Sequence, residues 1–299
     1  MPTPCIRPTT VEEIKARLRL FGTEKSNELG KNYQPDPSDV FITTYPKCGT
    51  TWMQQMVHCL RTRGDMNFEE ITEVVPWLEL SHDLGVDNNA PQKTRPHAFK
   101  SHFSWSQIPK GGRYIHVTRS PEDVLISFYR FFDGWFFDRG SIDLDTFATE
   151  LFLGGTKSGK YWNHVNDWWP QRHRENVLIM TYEDMIDDPE RSIFRVADFI
   201  GIELDAELLA ITLEKSSASF MRRHVTKFDD HPLREIMDPV CGLPPSGNSA
   251  KVSRQDSDSK KPVIGDSLAE LLQGRWSEIV FPATGLADYH QLRQQLTFP

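Results

Sequence analysis

A short segment of the chain combines a lysine, a glycine and two hydroxyl residues, which together could bind an anion. Residues 45–52 read Tyr-Pro-Lys-Cys-Gly-Thr-Thr-Trp. Lys47 supplies a mobile positive charge, and Thr50 and Thr51 supply hydroxyl donors. A helix that begins after Gly49 would add its free amides and the positive end of its dipole at the same point. We therefore predict a binding site for a phosphate-like group here.

The order of residues in this segment differs from that of the common nucleotide phosphate loop, G-x-x-x-x-G-K-[ST]. Here Lys47 precedes Gly49, and no glycine opens the loop. A nucleotide kinase that works on ATP and Mg²⁺ would need a lysine after the glycine and an aspartate at a strand end for the metal. We find neither in the sequence, so a P-loop kinase is kept only as an alternative function.

A second candidate anion site combines Arg119 with Ser127. Arg119 follows a predicted strand, and Ser127 lies on the helix that we predict to start at Pro121. A guanidinium group and a nearby hydroxyl are suited to a phosphate monoester. Taken alone, the pattern is equally compatible with Arg119 as a surface ion-pair partner of Glu122 or Asp123.

His102 is the best placed of the ten histidines for acid–base chemistry. It comes just beyond a predicted strand that contains Lys100, and an imidazole can accept a proton near neutral pH. Lys100 would stabilise charge beside it. Most histidines in proteins are structural, and we interpret four others in this way: His58, His116, His164 and His224.

Strands and helices alternate along the chain and would position these residues. Short apolar and β-branched segments predict strands over 39–45, 98–100, 113–117 and 177–180. A helical segment follows the first, third and fourth of them. This alternation predicts an α/β fold of three layers, α/β/α, with a central and mainly parallel sheet of the P-loop-like kind.

Two helix starts and one long loop complete the predicted organisation. Ser120 and Asp188 each precede a proline and an acidic first turn, which is typical of a capped helix. Residues 232–262 are rich in Pro, Gly, Ser and charge, and predict a long surface loop that could close over a ligand. Residues 268–280 return to a helical pattern. We predict one domain over 1–299.

Composition limits the partners and the compartment. The formal net charge is −8 and the pI is near 5.7, which argues against a nucleic-acid partner. Four cysteines at unrelated spacings predict neither disulfides nor a metal cluster and favour a reducing compartment. No segment has the roughly 18 apolar residues of a membrane span. We predict a cytoplasmic protein without membrane partners.

The segment over 45–52 resembles the 5′-phosphosulfate loop of the cytosolic sulfotransferase family, Tyr-Pro-Lys-Ser-Gly-Thr-Thr-Trp, and differs only at Cys48. Further similarity occurs in family order at 99–102, 119–127, 161–169 and 181–185, and the chain's ending is closer to the bacterial branch. The resemblance implies transfer of a sulfuryl group from 3′-phosphoadenosine 5′-phosphosulfate (PAPS) to a hydroxyl or amine of a small molecule. The other product would be 3′-phosphoadenosine 5′-phosphate (PAP), and no metal is implied.

The resemblance assigns roles to individual residues. Those implied for catalysis are His102 as base, with Lys47, Lys100 and Ser127. Those implied for the donor's phosphosulfate are Lys47, Gly49, Thr50, Thr51 and the amide of Cys48, whose thiol is a weak donor and is expected to contribute packing. Those implied for adenine and the 3′-phosphate are Trp52, Tyr182, Ser216, Arg119 and Ser127. From the pattern alone, Trp52 could instead be a core residue.

The C-terminal part departs from the family pattern. An Arg-Lys-Gly loop closes on the donor in the family, but residues 251–256 here read Lys-Val-Ser-Arg-Gln-Asp. Arg254, Lys251, Lys260 or Lys261 could substitute electrostatically, and Arg254 is the residue we carry over to that role. The departure keeps a catalytically silent PAPS- or PAP-binding module open as an alternative. The missing dimer motif leaves both a monomer and a homodimer open.

The acceptor pocket is also predicted from the resemblance. It would include Trp77, Leu80, Phe131 and Phe103, with Trp105 and Trp135 nearby. Aromatic clusters are as often core as pocket. The acidic residue Glu79 beside the pocket keeps an amine acceptor open.

Overall fold

The computed structural model describes residues 5–154, 160–245, 247, 249, 251 and 263–296. Within these residues, four parallel strands form one sheet in the order β2-β1-β3-β4. Their bounds are β1 Val40–Thr44, β2 Ala98–Ser101, β3 Arg113–Thr118 and β4 Val177–Thr181. The predicted α/β class and parallel sheet are confirmed.

Helices pack on both faces of the sheet. In chain order they are α1 (Val11–Leu18), α2 (Glu24–Lys31), α3 (Thr50–Thr62), α4 (Ile71–Val74), α5 (Pro121–Phe132), α6 (Leu144–Phe147), α7 (Tyr161–Trp168), α8 (Tyr182–Asp187), α9 (Pro189–Ile200), α10 (Ala206–Lys215), α11 (Ala218–Arg223), α12 (His231–Val240), α13 (Asp266–Arg275), α14 (Phe281–Thr284) and α15 (Tyr289–Leu296). Short 3₁₀ segments occupy Trp169–Gln171 and Val225–Phe228, and π-helical turns occupy Ala148–Phe152 and Trp276–Val280.

The three layers follow from the alternation of side chains along the strands. Phe41 of β1 stacks between Phe99 of β2 and Tyr114 of β3, with ring centroids 5.6 and 5.5 Å apart, in one apolar cluster. Its neighbours Val40 and Ile42 belong to a second cluster on the opposite face. Because both faces are covered, nearly every strand residue is buried, as in other parallel sheets.

Both predicted helix caps are present. The hydroxyl of Ser120 accepts a hydrogen bond from the amide of Asp123 at 3.2 Å at the start of α5. The carboxylate of Asp188 accepts one from the amide of Arg191 at 2.9 Å at the start of α9. These bonds fix the direction in which each helix leaves its strand.

The predicted surface loop over 232–262 is wrong in its first part. Residues 231–240 form α12, and its Leu233 and Met237 are buried against Leu80. Pro232 is tolerated because its missing N–H falls in the first turn, where helices have no intrahelical acceptor. The four-residue spacing of the buried side chains is that of an amphipathic helix, which the high Pro and Gly content concealed.

Among the helices that the structure describes, none has the length and apolar character needed to cross a lipid bilayer.

Candidate active site

Each strand of the sheet, or the loop after it, contributes at least one polar or charged residue to a single cavity of about 1030 Å³. Lys47 lies three residues beyond β1, and the residues directly after β2, β3 and β4 are His102, Arg119 and Tyr182. All four line the cavity. In parallel sheets the carboxyl ends of the strands meet at one edge, which explains why residues so distant in sequence come together.

The loop between β1 and α3 has the backbone geometry of an anion site. Lys47 and Gly49 both have positive φ, +73° and +97°. Gly49 is the N-cap of α3 and no side chain caps that helix start, so its first amides stay available. The hydroxyls of Thr44 and Thr50 lie 2.5 Å apart beneath the loop. The positive end of α3 therefore faces the cavity.

Gly49 also permits a close approach of Tyr182. A Cβ atom at this position would lie 2.7 Å from Cδ2 of the Tyr182 ring. The edge of Trp52 meets the same ring, with centroids 5.6 Å apart. Trp52 is only half-buried and lines the cavity, although it also packs against the core.

Arg119 contacts the phosphate loop directly. Its Nη1 donates to the carbonyl of Lys47 at 3.3 Å, and its guanidinium lies 4.2 Å from the centre of the Tyr182 ring. The alternative partner, Asp123, is 3.9 Å from Nη2 and its side chain is exposed, so this ion pair is weak. Ser127, on α5, lines the same cavity.

The ammonium group of Lys47 lies 3.8 Å from the centre of the Phe131 ring. Burial, followed by the like charge of Lys251, lowers the pKa of Lys47 to about 7. A bound anion would stabilise the protonated form of Lys47 and raise its pKa again, so Lys47 would bind an anion strongly.

Among the residues that the structure describes, Nδ1 of His102 has a hydrogen-bond partner and Nε2 has none. Nδ1 lies 2.9 Å from the carbonyl oxygen of Thr44, and because a carbonyl only accepts, Nδ1 carries the proton. Nε2 is then a proton acceptor. Burial and the charge of Lys100 hold the pKa of His102 well below its usual value, so the imidazole is neutral at pH 7.

Lys100 and Glu79 flank His102. The ammonium of Lys100 lies 3.6 Å from the centre of the Trp77 ring, and burial lowers its pKa to about 8. A carboxylate oxygen of Glu79 accepts the backbone N–H of His102 at 2.6 Å. Burial raises the pKa of Glu79, which favours its neutral form.

Aromatic rings line the rest of the cavity. All four residues predicted for the acceptor are in its lining: Trp77, Leu80, Phe103 and Phe131. Trp135 joins them, whereas Trp105 packs against Tyr114 and Trp168 and does not line the cavity. Other rings in this wall are Phe21, Phe128, Phe132 and Phe136.

The prediction for Cys48 needs correction. Its thiol is fully buried in the core and does not line the cavity, and its N–H donates to the carbonyl of Tyr45 at 3.2 Å. Burial raises the pKa of the thiol far above its usual value. Cys48 therefore packs the base of the loop, and its amide closes the turn instead of facing the cavity.

Comparison with known proteins gives the family. A family model, the sulfotransferase domain, matches residues 37–276, well over half of the chain. The chain belongs to the sulfotransferase family. Sulfotransferase 1C2 of Rattus norvegicus is 30% identical over 250 residues, which cover 78% of this chain and 82% of that protein. The 3-beta-hydroxysteroid sulfotransferase of Cavia porcellus is 28% identical over 221 residues, or 71% and 76% of the two chains.

Solved structures share the fold of this sulfotransferase. A retinol dehydratase in complex with retinol and PAP superposes with a TM-score of 0.67 at 19% identity, covering 94% of this chain and 98% of that one. The mouse sulfotransferase SULT7A1 with PAP gives 0.63 at 19% identity, covering 93% and 96%. At such identities the likeness carries the fold alone.

The family match confirms the function predicted from the sequence. The protein is a PAPS-dependent sulfotransferase, an enzyme that transfers a sulfuryl group from PAPS to a small-molecule acceptor. The two alternatives, a P-loop kinase and a silent binding module, are not supported.

Two further predicted donor residues have different outcomes. Ser216 lines the cavity, and its buried hydroxyl donates to the carbonyl of Thr212 at 2.7 Å, which leaves it only as an acceptor. Arg254 lies outside the described residues.

Sequence reasoning named Lys251 only as one possible electrostatic substitute and missed the two carboxylates that pair with it beside the two lysines of the sulfotransferase site. Lys251 forms ion pairs with Asp230 and Glu70, and both Lys251 and Asp230 line the cavity. No local signal marks this group, because Lys251 is 181 residues from Glu70 and 21 residues from Asp230 in the sequence.

Proposed function

We propose that this sulfotransferase sulfates a hydroxyl group of an apolar, ring-containing small molecule, with His102 as the base. The observation that carries the proposal is the 2.9 Å contact from Nδ1 of His102 to the Thr44 carbonyl, because it leaves Nε2 free to accept the hydroxyl proton. The chain over 1–299 is proposed to act as one domain.

The reaction proposed is an in-line displacement at sulfur. The acceptor oxygen forms a bond to sulfur while the bond from sulfur to the bridging phosphate oxygen breaks, and the acceptor proton passes to Nε2 of His102. The bridging oxygen leaves with the electron pair as part of PAP. Lys47 would stabilise the charge on that oxygen, and Lys100 would stabilise the sulfuryl oxygens.

The donor is proposed to span the cavity from the phosphate loop to α5. Its phosphosulfate would bind at the start of α3 and Lys47, and its 3′-phosphate at Arg119 and Ser127. Adenine would lie against the rings of Trp52 and Tyr182. The 3.3 Å contact of Arg119 with the Lys47 carbonyl supports this arrangement, because the two proposed phosphate-binding groups are then within reach of a single nucleotide.

A hydroxyl is favoured over an amine by the charges around His102. Lys47, Lys100 and Lys251 line the same cavity as His102 and would repel a protonated amine. The carboxyl group of Glu79 offers little compensation, because its raised pKa favours the neutral form and one oxygen already accepts the His102 amide. The aromatic lining supports a ring-containing acceptor, since stacked or edge-on rings pack favourably there.

The test is transfer of labelled sulfate from PAPS to matched acceptors with one carbon skeleton: a ring alcohol, the corresponding phenol, the amine and the carboxylic acid. We expect the alcohol or the phenol to be sulfated at least about tenfold faster, in kcat/KM, than the amine. The carboxylic acid should not react. A preference for the amine would contradict the proposed acceptor class.

We also propose that the enzyme works in the cytoplasm without nucleic-acid or membrane partners. All four cysteines lie in described residues and are free thiols, as expected in a reducing compartment. The net charge of −8 would repel nucleic-acid phosphates and anionic lipid. Sedimentation measurements would distinguish the monomer from the homodimer.

A further inference from the structure

Three lysines line the cavity, and the positive charge of Lys251 acts on both of the others. Lys47 and Lys100 come from the β1 and β2 regions, whereas Lys251 comes from the C-terminal part of the chain. The side chain of Lys251 is only 7% exposed. Like charges buried together destabilise one another unless counter-ions are present.

Two carboxylates hold Lys251 in place. Its ammonium pairs with Oδ1 of Asp230 and, at 3.4 Å, with Oε1 of Glu70; their side chains are 3% and 1% exposed. Burial lowers the pKa of Lys251, but the two carboxylates outweigh burial and raise it above its usual value. Lys251 is therefore a fixed positive charge.

The other two lysines have no such partners. Among the described residues, no carboxylate lies within 4.0 Å of the ammonium of Lys47 or Lys100. Each lies instead over an aromatic ring. Burial raises the pKa of the nearby Glu79 and favours its neutral form, so three lysines against the two carboxylates Asp230 and Glu70 leave one positive charge in excess, before Arg119 is counted.

We propose that Lys251, anchored by Glu70 and Asp230, is a positioning residue of the donor site. Because Lys251 already pairs with both carboxylates, Lys47 and Lys100 lack a sufficient counter-ion until the donor's phosphosulfate binds. Donor binding is therefore coupled to proton uptake by the protein. The inference rests on the proposed binding of the donor at Lys47.

The charges that face Lys47 and Lys100 support this coupling and determine the direction in which each substitution should change the pKa values of the two lysines. Burial and then Lys251 lower the pKa of Lys47 to about 7 and that of Lys100 to about 8, while Asp230 acts in the opposite direction on both. Lys47 also faces Lys100 and Arg119, and Lys100 also faces Glu70 and Glu79. Removing the Lys251 charge should therefore raise both pKa values, and removing the Asp230 charge should lower them.

The experiment measures the Kd of PAP by calorimetry from pH 6.5 to 9.5, in buffers of different ionisation enthalpy. At pH 8 the phosphates of PAP have lost their second protons, whose pKa is about 6, so proton exchange reports the protein. The wild type should take up protons at pH 8 and lose affinity as pH rises through the lysine pKa values. Lys251→Met should move the midpoint of this loss up by roughly one pH unit, and Asp230→Asn should move it down.

Two control variants separate charge from structural damage. Lys251→Arg keeps the charge and should keep the wild-type midpoint. Lys227→Met removes a lysine that donates to the Phe68 carbonyl and does not line the cavity, so its midpoint should also be unchanged.

General damage would move Lys251→Met and Asp230→Asn in the same direction, and equal midpoints in all variants would show no electrostatic role; either result overturns the inference. If Lys251→Met does not fold, a downward shift in Asp230→Asn still supports the inference, and an unchanged or upward midpoint overturns it. PAP that fails to bind the wild type would instead overturn the proposed donor site itself.

Discussion

Gly49 is required by two physical constraints at once. Its φ of +97° disfavours any side chain, and a Cβ would clash with Tyr182 at 2.7 Å. Gly49→Ala should therefore displace Tyr182 or the loop and raise the Kd of PAP at least about tenfold. Gly85→Ala is the matched control, because φ is +71° and no heavy atom lies within 4 Å of the added Cβ.

Calorimetric titration with PAP and a melting curve for both glycine variants decide this point. We expect Gly85→Ala to lose a little stability and no affinity. Equal PAP affinity in the Gly49→Ala variant would show that the loop does not hold the donor as proposed.

Lys47 should matter more for turnover than for binding, because charge on the bridging oxygen develops only in the transition state. Lys47→Met should lower kcat by about 10²–10³-fold and raise the Kd of the intact donor PAPS by roughly tenfold or less. Steady-state kinetics with labelled PAPS, together with PAPS titration in the absence of an acceptor, measure both. A loss confined to Kd would assign Lys47 to binding alone.

At the residue scale, the sequence predicts a site residue where its partners lie in the same short segment, and fails where they are distant in the sequence. Lys47, Thr50 and Thr51 were predicted because one short segment holds them all. The ion pairs of Lys251 depend on tertiary packing that no short pattern encodes. The wrong assignment of the Cys48 amide has a simpler cause, since the closing of a tight turn onto Tyr45 cannot be read from residue types.

At the scale of elements, the strands and their following helices were predictable because apolar periodicity and caps agree. Each of the four observed strands lies within one or two residues of its prediction. Helix α12 was missed because Pro232 and Pro239 flank its periodic residues. Proline near a helix start is compatible with the helix. The composition of this segment therefore wrongly predicted a loop, whereas the spacing of its apolar residues would have predicted the helix.

Helix α12 contributes Leu233 to the cavity lining, where it packs in one apolar cluster with Leu80 of the proposed acceptor pocket. Leu233→Ala removes a side chain that is 2% exposed and lines the cavity. We expect a stability loss of about 2–4 kcal/mol and a raised acceptor KM, with the Kd of PAP unchanged.

The matched control for Leu233→Ala is Leu208→Ala in α10. Leu208 is also 2% exposed but lies outside the cavity lining. The Leu208→Ala variant should lose similar stability and leave the acceptor KM unchanged. Equal changes of KM in the two variants would mean that α12 affects the acceptor only through general stability. Thermal melts and acceptor kinetics provide the comparison.

At the scale of the whole molecule, a protein of net charge −8 concentrates cations in one cavity. The preference for a doubly phosphorylated nucleotide should therefore come from that cavity. At equal concentration, PAP should raise Tm more than ADP or ATP, because only PAP carries the 3′-phosphate proposed for Arg119 and Ser127. Arg119→Ala should abolish the difference. Equal shifts in the wild type would contradict the 3′-phosphate site.

The central claim is that His102 accepts the acceptor's proton beside a donor site that does not depend on it. The most direct measurement is sulfate transfer from labelled PAPS by His102→Ala, with PAP titration of the same sample and His224→Ala as a control outside the cavity. We predict a fall in kcat of at least about 10²-fold, with PAP affinity unchanged and the control active. Turnover close to that of the wild type in His102→Ala would contradict the account.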